Sequence, residues 1–323
     1  MLVTGANGAG KTNLLESLHV ATQGFSPRSR RDADLIRFGE REARVALAGQ
    51  RGDTPVDVRV DLSLAAARSA RLNGAALASA ETLRRELQTL VFTPDRLALV
   101  KGGPAARRAY FDRVLARLQP ARAPLPADYA AAVAQRNAAL RFSSDAAVEP
   151  WTEQVVELGS ELVAARAEVL RALTPEFSRG AAELGLASAR LAYEGEPPSR
   201  AELDARLQRD RERGVTSLGP HLHDIRLTSG ERDLRAFGSQ GEQRLTVLAL
   251  LLAEASLLEE RRGVPPLLLL DDVLSELDPD RRRSLAERVT ARGQTIVTAT
   301  DPSFLPCEPA QRLAVTPGTA RAA

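Results

Sequence analysis

Gly5-Ala6-Asn7-Gly8-Ala9-Gly10-Lys11-Thr12 fits the pattern G-x-x-x-x-G-K-[ST] at every fixed position. Glycines let the backbone curl until successive N–H groups point at phosphate oxygens. A helix beginning near Gly10 adds the partial positive charge of its N-terminus. Lys11 is then placed to reach the β- and γ-phosphates of a nucleotide, and Thr12 to set its hydroxyl on Mg²⁺. The competing reading is a glycine-rich turn with no ligand. Lysine usage weighs against it: Lys11 and Lys101 are the only lysines among the 44 basic residues, so a lysine at this fixed position is informative.

A second segment supplies the other half of such a site. Leu267-Leu268-Leu269-Leu270-Asp271-Asp272 is a continuous apolar run ending in two carboxylates. The run fits a parallel strand buried on both faces. Asp271 is expected to hold Mg²⁺, directly or through water, and Asp272 to polarise the attacking water. The plainer alternative is a strand end capped by acidic turn residues, with Asp271 as an N-cap. With the glycine-rich loop upstream, ATP with Mg²⁺ is the expected ligand.

Composition bounds the rest. The chain of 323 residues is long enough for one to three domains, and a net charge of +2 does not by itself mark a nucleic-acid binder. Arginines cluster at Arg28, Arg30 and Arg31, at Arg84 and Arg85, at Arg107 and Arg108, and at Arg281 to Arg283. Each cluster reads either as a solvated face or as a groove for a polyanion backbone. A lone cysteine, Cys307, permits no disulfide within the chain. The start shows no signal-peptide pattern. The most apolar stretch, Leu245 to Leu258, is too short to span a bilayer and contains Glu254. A cytoplasmic protein with no membrane partner is expected.

Along the chain, Met1 to Thr4 read as the end of a strand feeding the loop, and a helix follows over Asn13 to Ala21. So little sequence precedes the loop that one or two further N-terminal strands are expected to be missing. Val45 and Leu47, then Val56, Val58, Val60 and Leu62, alternate with polar residues as strands do, with a turn at Arg51-Gly52-Asp53 and another at Asn73-Gly74. Leu90 to Phe92 is a short strand ended by Pro94. From Pro104 to Leu173 the pattern is helical: Trp151, Val155, Leu158, Leu162 and Val169 share one face, and Glu153, Glu157 and Glu161 another. Pro120, Pro124, Pro126 and Pro150 are expected to break this run. A polar helix over Arg200 to Arg213 and a strand near Ile225 to Thr228 follow. The last third reads as helix, strand, helix, strand. The expected division is a first part of an α/β lobe over 1–103, a helical lobe over 104–213, and the second part of the α/β lobe over 214–323.

Two more segments select among nucleotide-binding folds. Phe237-Gly238-Ser239-Gln240-Gly241-Glu242-Gln243-Arg244 precedes a long apolar helix and resembles the signature motif of ABC-type ATPases. Taken alone, Ser239-Gln240-Gly241 is only a helix cap. Ser275-Glu276-Leu277-Asp278, directly after the carboxylates, resembles the D-loop of the same class. Within that class the chain resembles the RecF family over nearly its whole length. The carriers are Gly5 to Asn13; Phe92-Thr93-Pro94-Asp95 with Arg107, Arg108 and Asp112; Gln135 to Arg141; Gly219-Pro220-His221; Ser239 to Arg244; Leu269 to Asp278 with Arg281 and Arg282; and Thr298-Ala299-Thr300-Asp301.

The resemblance implies an α/β fold, a P-loop ABC-type ATPase head of mixed sheet and flanking helices with an inserted α-helical lobe. It implies slow DNA-dependent ATP hydrolysis, DNA binding in repair and replication, and recombination mediator proteins as partners. It also implies an ATP-dependent head-to-tail homodimer. Each ATP would touch Gly5, Ala6, Asn7, Gly8, Ala9, Gly10, Lys11, Thr12 and Asn13 of one chain and Ser239, Gln240 and Gly241 of the other. Thr12 and Asp271 would hold the metal, and Lys11 and Asp272 would serve catalysis. The chain departs from the family after Gly219-Pro220-His221, where Leu222 and His223 precede Asp224 in place of an arginine and acidic residues. His221, His223 and Asp224 could imitate a metal site, since alternate residues of a strand share a face; a structural role is the other reading. No glutamine is assigned to the Q-loop, and no role to Thr300 and Asp301. An SMC-type head would need a long heptad coiled coil, a transporter subunit a shorter insert, and a small-molecule kinase no signature segment.

Overall fold

The structure is a computed structural model and describes residues 1–29, 31–291 and 293–323. The strands are β1 (Leu2–Thr4), β2 (Glu42–Arg51), β3 (Thr54–Ser63), β4 (Ser69–Leu72), β5 (Ala75–Ala76), β6 (Thr89–Phe92), β7 (Ala189–Glu194), β8 (Asp224–Ser229), β9 (Arg232–Asp233), β10 (Leu267–Leu270), β11 (Thr295–Ala299), β12 (Arg312–Thr316) and β13 (Thr319–Ala322). The helices are α1 (Lys11–Gln23), α2 (Glu81–Glu86), α3 (Ala98–Lys101), α4 (Pro104–Leu118), α5 (Leu125–Phe142), α6 (Asp145–Glu183), α7 (Arg200–Ala205), α8 (Leu207–Arg213), α9 (Leu234–Phe237), α10 (Gln240–Arg262) and α11 (Pro279–Thr290).

The chain forms two compact units, one from 1–96 with 262–323 and the other from 97–261. The first unit contains a six-stranded sheet in the order β13-β12-β1-β11-β10-β6. Its pairings are parallel except for the β12–β13 hairpin. The leucines of β10 lie between β11 and β6 and are almost wholly buried, as a two-faced apolar run requires. β1 has parallel partners on both sides, β11 and β12, so the strand that feeds the glycine-rich loop is an interior one. A second, antiparallel sheet runs β2-β3-β4-β5. Its two tightest hairpins turn at Gly52-Asp53 and Asn73-Gly74, and Asn73 and Gly74 both take positive φ, which suits the right-handed twist of the flanking strands. Val58, Val60 and Leu62 of β3 pack with Val20 and Ala21 of α1 and with Leu83 of α2.

The second unit is built on helices α4, α5, α6 and α10 with the three-stranded sheet β7-β8-β9. The expected faces of α6 are observed: Val155, Leu162 and Val169 are buried, and Glu153, Glu157 and Glu161 are exposed. Pro150 does not break this helix. It lies in the second turn of α6, where only one intrahelical donor is lost. Pro126 likewise sits in the first turn of α5, where its missing N–H has no intrahelical role. The polar stretch from Arg200 is two short helices rather than one, parted at Arg206.

The unit boundaries also differ from the expected lobes. Residues 214–261, read from sequence as the return to the α/β lobe, pack with the helical unit. The reason is physical. β8 pairs with β7 along its whole length, and Glu254 of α10 accepts hydrogen bonds from Tyr110 (3.2 Å) and Arg117 (2.5 Å) of α4. The segment that resembles the signature motif therefore belongs to the second unit, and the P-loop and acidic strand to the first.

Candidate nucleotide site

Two glycines make the loop possible. Gly8 (φ 80°) and Gly10 (φ 108°) lie in the left-handed region, which side chains avoid. Gly5 serves differently: a Cβ there would lie 2.4 Å from the Val315 carbonyl oxygen, so glycine lets β12 approach closely. Ala6, Asn7 and Gly8 form an exposed rim, while Ala9 packs in the core with Val3 and Leu15. The Ala9 N–H donates to the Ala6 carbonyl at 3.1 Å and closes the curl. α1 begins at Lys11 with no side-chain cap on its N-terminus and no acidic residue in its first turn. Its N-terminal N–H groups and dipole are left to attract an anion.

Lys11 is buried and folds back over the loop. Its Nζ donates to the carbonyls of Gly5 (2.7 Å) and Ala6 (3.0 Å). Next to it, Thr12 Oγ1 donates to Asp271 Oδ1 at 3.2 Å. Thr298, at the end of β11, donates its hydroxyl to the same Asp271 oxygen at 2.7 Å and accepts from the Asp272 N–H at 2.9 Å. The parallel register sets this up: β1 and β10 flank β11, so their C-terminal ends converge beside Thr298. From sequence Thr298 is only one carrier of the resemblance. Its bridging role depends on register between segments 27 positions apart, which local spacing does not encode.

Asp272 is unusual in two ways. It is one of two non-glycine residues with positive φ among the described residues, at 49°. Its Oδ1 is buried without a hydrogen-bond partner among the described residues. Backbone strain and an unsatisfied buried carboxylate oxygen both cost stability, and together they point to a functional position. Asn13 lies exposed in the first turn of α1. β6 ends beside this site: the Asp271 N–H donates to the Phe92 carbonyl at 2.9 Å, and the buried Thr93 follows directly. Thr12 and Asp271 are hard oxygen donors side by side, a set that fits Mg²⁺ retaining most of its waters and phosphate ligands.

In the second unit, Ser239 precedes the first turn of α10. The Glu242 N–H donates to Ser239 Oγ at 3.2 Å, and Glu242 Oε2 accepts from the Ser239 N–H at 2.8 Å. This reciprocal pair is a capping box. Arg232 Nη2 reaches Glu242 Oε1 at 3.1 Å. The hydrogen bond from the Ser239 backbone, and then Arg232, hold the Glu242 carboxyl below its ordinary pKa. Gln243 Nε2 donates to the Leu234 carbonyl at 2.9 Å and ties the preceding turn down. Ser239 and Gln240 are exposed, and Gly241 is half-buried. Asp278 of the D-loop-like segment caps α11 by accepting from the Arg281 N–H at 2.9 Å.

The metal reading of His221, His223 and Asp224 is overturned. His221 Nε2 faces the Thr216 carbonyl at 3.0 Å, an acceptor, so that nitrogen carries the proton and Nδ1 accepts from the Tyr129 hydroxyl at 2.7 Å. His223 Nδ1 is engaged by Tyr193 Oη at 2.8 Å, and burial pushes the ring down to about 4. Both Asp224 oxygens are taken by Arg107, each at 2.7 Å. Among the described residues no cluster of three or more His, Cys, Asp or Glu is arranged to hold a metal. The same contacts correct one arginine cluster. Arg107 is buried in its ion pair, and the half-buried Arg108 donates to the His223 carbonyl at 2.7 Å, so Arg107 presents no free charge to a polyanion and Arg108 is partly engaged.

The other clusters stay at the surface, partly engaged. Arg28 pairs with Glu16 (3.6 Å) and Arg31 with Asp34 (2.6 Å), while Arg30 lies outside the described residues. Arg84 donates to the Gln23 carbonyl at 3.3 Å, and Arg85 is exposed. Arg281 pairs with Asp278, the cap of α11, Arg283 pairs with Asp280 in the helix, and Arg282 lies over the Phe304 ring at 4.3 Å. Among the described residues no helix is long and apolar enough to cross a membrane.

Comparison with known proteins agrees with this geometry. The family model described as RecF/RecN/SMC N terminal domain matches residues 1–315. The DNA replication and repair protein RecF of Anaeromyxobacter sp. (strain K) is 40% identical over 322 residues, covering 93% of this chain and 86% of that protein. The protein of the same name from Symbiobacterium thermophilum is 38% identical over 317 residues, with 92% and 84% covered. Among solved structures, that of the recombination mediator protein RecF with ATP superposes with a TM-score of 0.86 at 25% identity, covering 100% of this chain and 91% of that one. An SMC head bound to the C-terminal winged-helix domain of ScpA shares the fold alone, with a TM-score of 0.59 at 18% identity and 100% and 88% covered. The chain belongs to the RecF family of DNA replication and repair proteins, within the wider RecF/RecN/SMC group of ABC-type ATPase heads.

Proposed function

We propose that this chain is an ATP-driven DNA clamp of RecF type. One observation carries the reading: Thr12, Asp271, Thr298 and the strained, unsatisfied Asp272 converge on the uncapped N-terminus of α1. Backbone N–H groups of the loop and α1 bind the phosphates. Lys11 exchanges the Gly5 and Ala6 carbonyls for phosphate oxygens. Thr12 and Asp271 hold Mg²⁺, which when bound neutralises charge on those oxygens. Asp272 accepts a hydrogen bond from the attacking water. The water oxygen bonds to the γ-phosphorus as the bond to the β–γ bridging oxygen breaks, leaving ADP and inorganic phosphate.

The signature-like segment completes the site from a second copy of the chain. Ser239, Gln240 and Gly241 at the N-terminus of α10 face the γ-phosphate held by the partner. Two ATP molecules are then buried between two heads, so ATP stabilises the dimer and hydrolysis weakens it. Turnover is slow and DNA-dependent, the protein works in the cytoplasm, and recombination mediator proteins are its partners. Light scattering with and without ATP and Mg²⁺ tests the clamp. A monomer that becomes a dimer only with ATP is expected, and a monomer in both conditions would overturn the dimer.

A further inference from the structure

The segment that resembles the signature motif carries a side chain that the γ-phosphate contact does not use. Phe237, two residues before Ser239, closes α9 and is 69% exposed. Its backbone is nonetheless fixed. Leu234, at the start of the same turn, is buried, and its carbonyl accepts both the Gly238 N–H (3.2 Å) and Gln243 Nε2 (2.9 Å). The Arg235 N–H donates to Asp233 Oδ1 at 2.7 Å and caps the turn from its other end. Position 238 needs glycine, because a Cβ there would lie 2.5 Å from the Leu234 carbonyl oxygen. α3 packs against α9, and the capping box of Ser239 and Glu242 follows directly. Phe237 is thus a large apolar ring held in solvent on a backbone anchored on both sides of it.

An exposed phenyl ring gains free energy when it is covered. In a head-to-tail dimer the cover is either the partner's protein surface or the partner's nucleotide. The rim of the phosphate loop suits a phenyl ring poorly, because Ala6, Asn7 and Gly8 present no apolar group larger than a methyl. ATP itself brings a planar π-face. Reach favours the base as well. With Ser239 on the γ-phosphate, the Phe237 backbone lies up to about 7 Å further along the chain. Its ring extends beyond that, past the phosphates and toward the ribose and base. The adjoining Arg235, Ala236 and Gly238 supply no apolar rim, so the ring acts as a single flat face rather than as part of a docking patch. We propose that Phe237 stacks on the base of the ATP held by the partner copy, so that dimerisation depends on the nucleobase as well as on the γ-phosphate. Stacking of this kind accepts any base, so the ring reads that a base is present and not which one. The inference rests on the dimer reading above and names the further part of the nucleotide that the second copy touches.

The test compares ATP with its abasic analogue, which keeps the sugar and the three phosphates. Both are used with Mg²⁺ at saturating concentration on the full chain, so the P-loop is filled in either case and light-scattering titrations read the dimer alone. The native chain should dimerise more tightly with ATP than with the analogue. Phe237→Ala should weaken the ATP dimer about tenfold for each of its two sites, about a hundredfold together, as expected for lost base–aromatic stacks. The dimer formed with the analogue should not change. Phe237→Trp should keep the dependence on the base, and Phe237→Leu, which has apolar bulk and no π-face, should lose most of it. ATP binding to the dilute monomer should be the same in every variant. Circular dichroism melts confirm folding, and if the alanine variant melts early the leucine variant carries the same comparison. A native chain that stays monomeric with ATP overturns the dimer reading, and the stack with it. If the native chain dimerises and Phe237→Ala leaves the ATP dimer unchanged, the stack alone is refuted. Equal weakening with ATP and with the analogue refutes it too, and assigns the ring to the partner's protein surface.

Discussion

The two helix N-termini that carry the nucleotide motifs are built in opposite ways. α1 starts after glycine, with no side-chain cap and no carboxylate in its first turn. α10 starts with a capping box in which Glu242 already satisfies the Ser239 N–H. Both could attract a phosphate through their dipoles. Only the first has neither a side-chain cap nor an acidic residue in its first turn, which suits it to the role proposed above of primary phosphate site. The second carries its own anion, partly offset by Arg232 at 3.1 Å. It suits a weaker contact, made only when a γ-phosphate is delivered to it. In the clamp proposed above, a strong cis half and a tempered trans half would give a dimer that forms with ATP and lets go after hydrolysis.

The largest expected effect breaks the strong half. Lys11→Met removes the cation whose Nζ lies on the Gly5 and Ala6 carbonyls. ATP hydrolysis should fall on the order of a thousandfold, with ATP-induced dimerisation lost. Phosphate-release assays and light scattering read both, and near-native turnover would remove Lys11 from the site. Asp272→Asn comes next. If the strained carboxylate with its unpartnered Oδ1 takes a proton from water as proposed, hydrolysis should fall about a hundredfold while ATP binding persists. The ATP-bound dimer should then outlive that of the native chain. Unchanged turnover would move the catalytic role elsewhere.

The same asymmetry governed what the sequence revealed. The P-loop and acidic strand were legible because each lies in consecutive residues, where φ requirements and burial leave few choices. Gly8, Gly10 and the four leucines of β10 take the backbone and burial that their residue types imply. What was hidden depended on register between distant segments. Thr298 bridges Asp271 and Asp272 only because β11 pairs beside β10. Arg107 and Arg108 looked like surface charge, yet Asp224 and the His223 carbonyl draw them inward across more than a hundred residues of sequence. His221 and His223 left a metal reading open beside the favoured structural one, and each meets its own tyrosine. Positions 214–261 looked like a return to the α/β lobe because the order of motifs says nothing about which helices α10 packs against.

The smallest expected effect sharpens the contrast at α10. Glu242 has two separable properties, a hydrogen-bonding oxygen on the Ser239 N–H and a negative charge near the place proposed for the partner's γ-phosphate. Glu242→Gln keeps an acceptor for the cap and removes the charge, so ATP-dependent dimerisation should tighten about fivefold, the equivalent of roughly 1 kcal/mol for a charge pair at partly screened range. Arg232→Ala leaves the carboxylate without its counter-ion and should weaken the dimer by a similar factor. Arg232 is exposed and Glu242 half-buried in the free chain, and Glu242→Gln keeps the cap acceptor, so neither change should move the melting temperature much. The double variant decides between charge and architecture. If Arg232 acts by offsetting Glu242, then Arg232→Ala costs nothing once Glu242 is glutamine. If the gain from Glu242→Gln and the loss from Arg232→Ala simply add in sedimentation or light-scattering titrations with ATP, Arg232 does not act through Glu242, and the tempering of the trans half has another source.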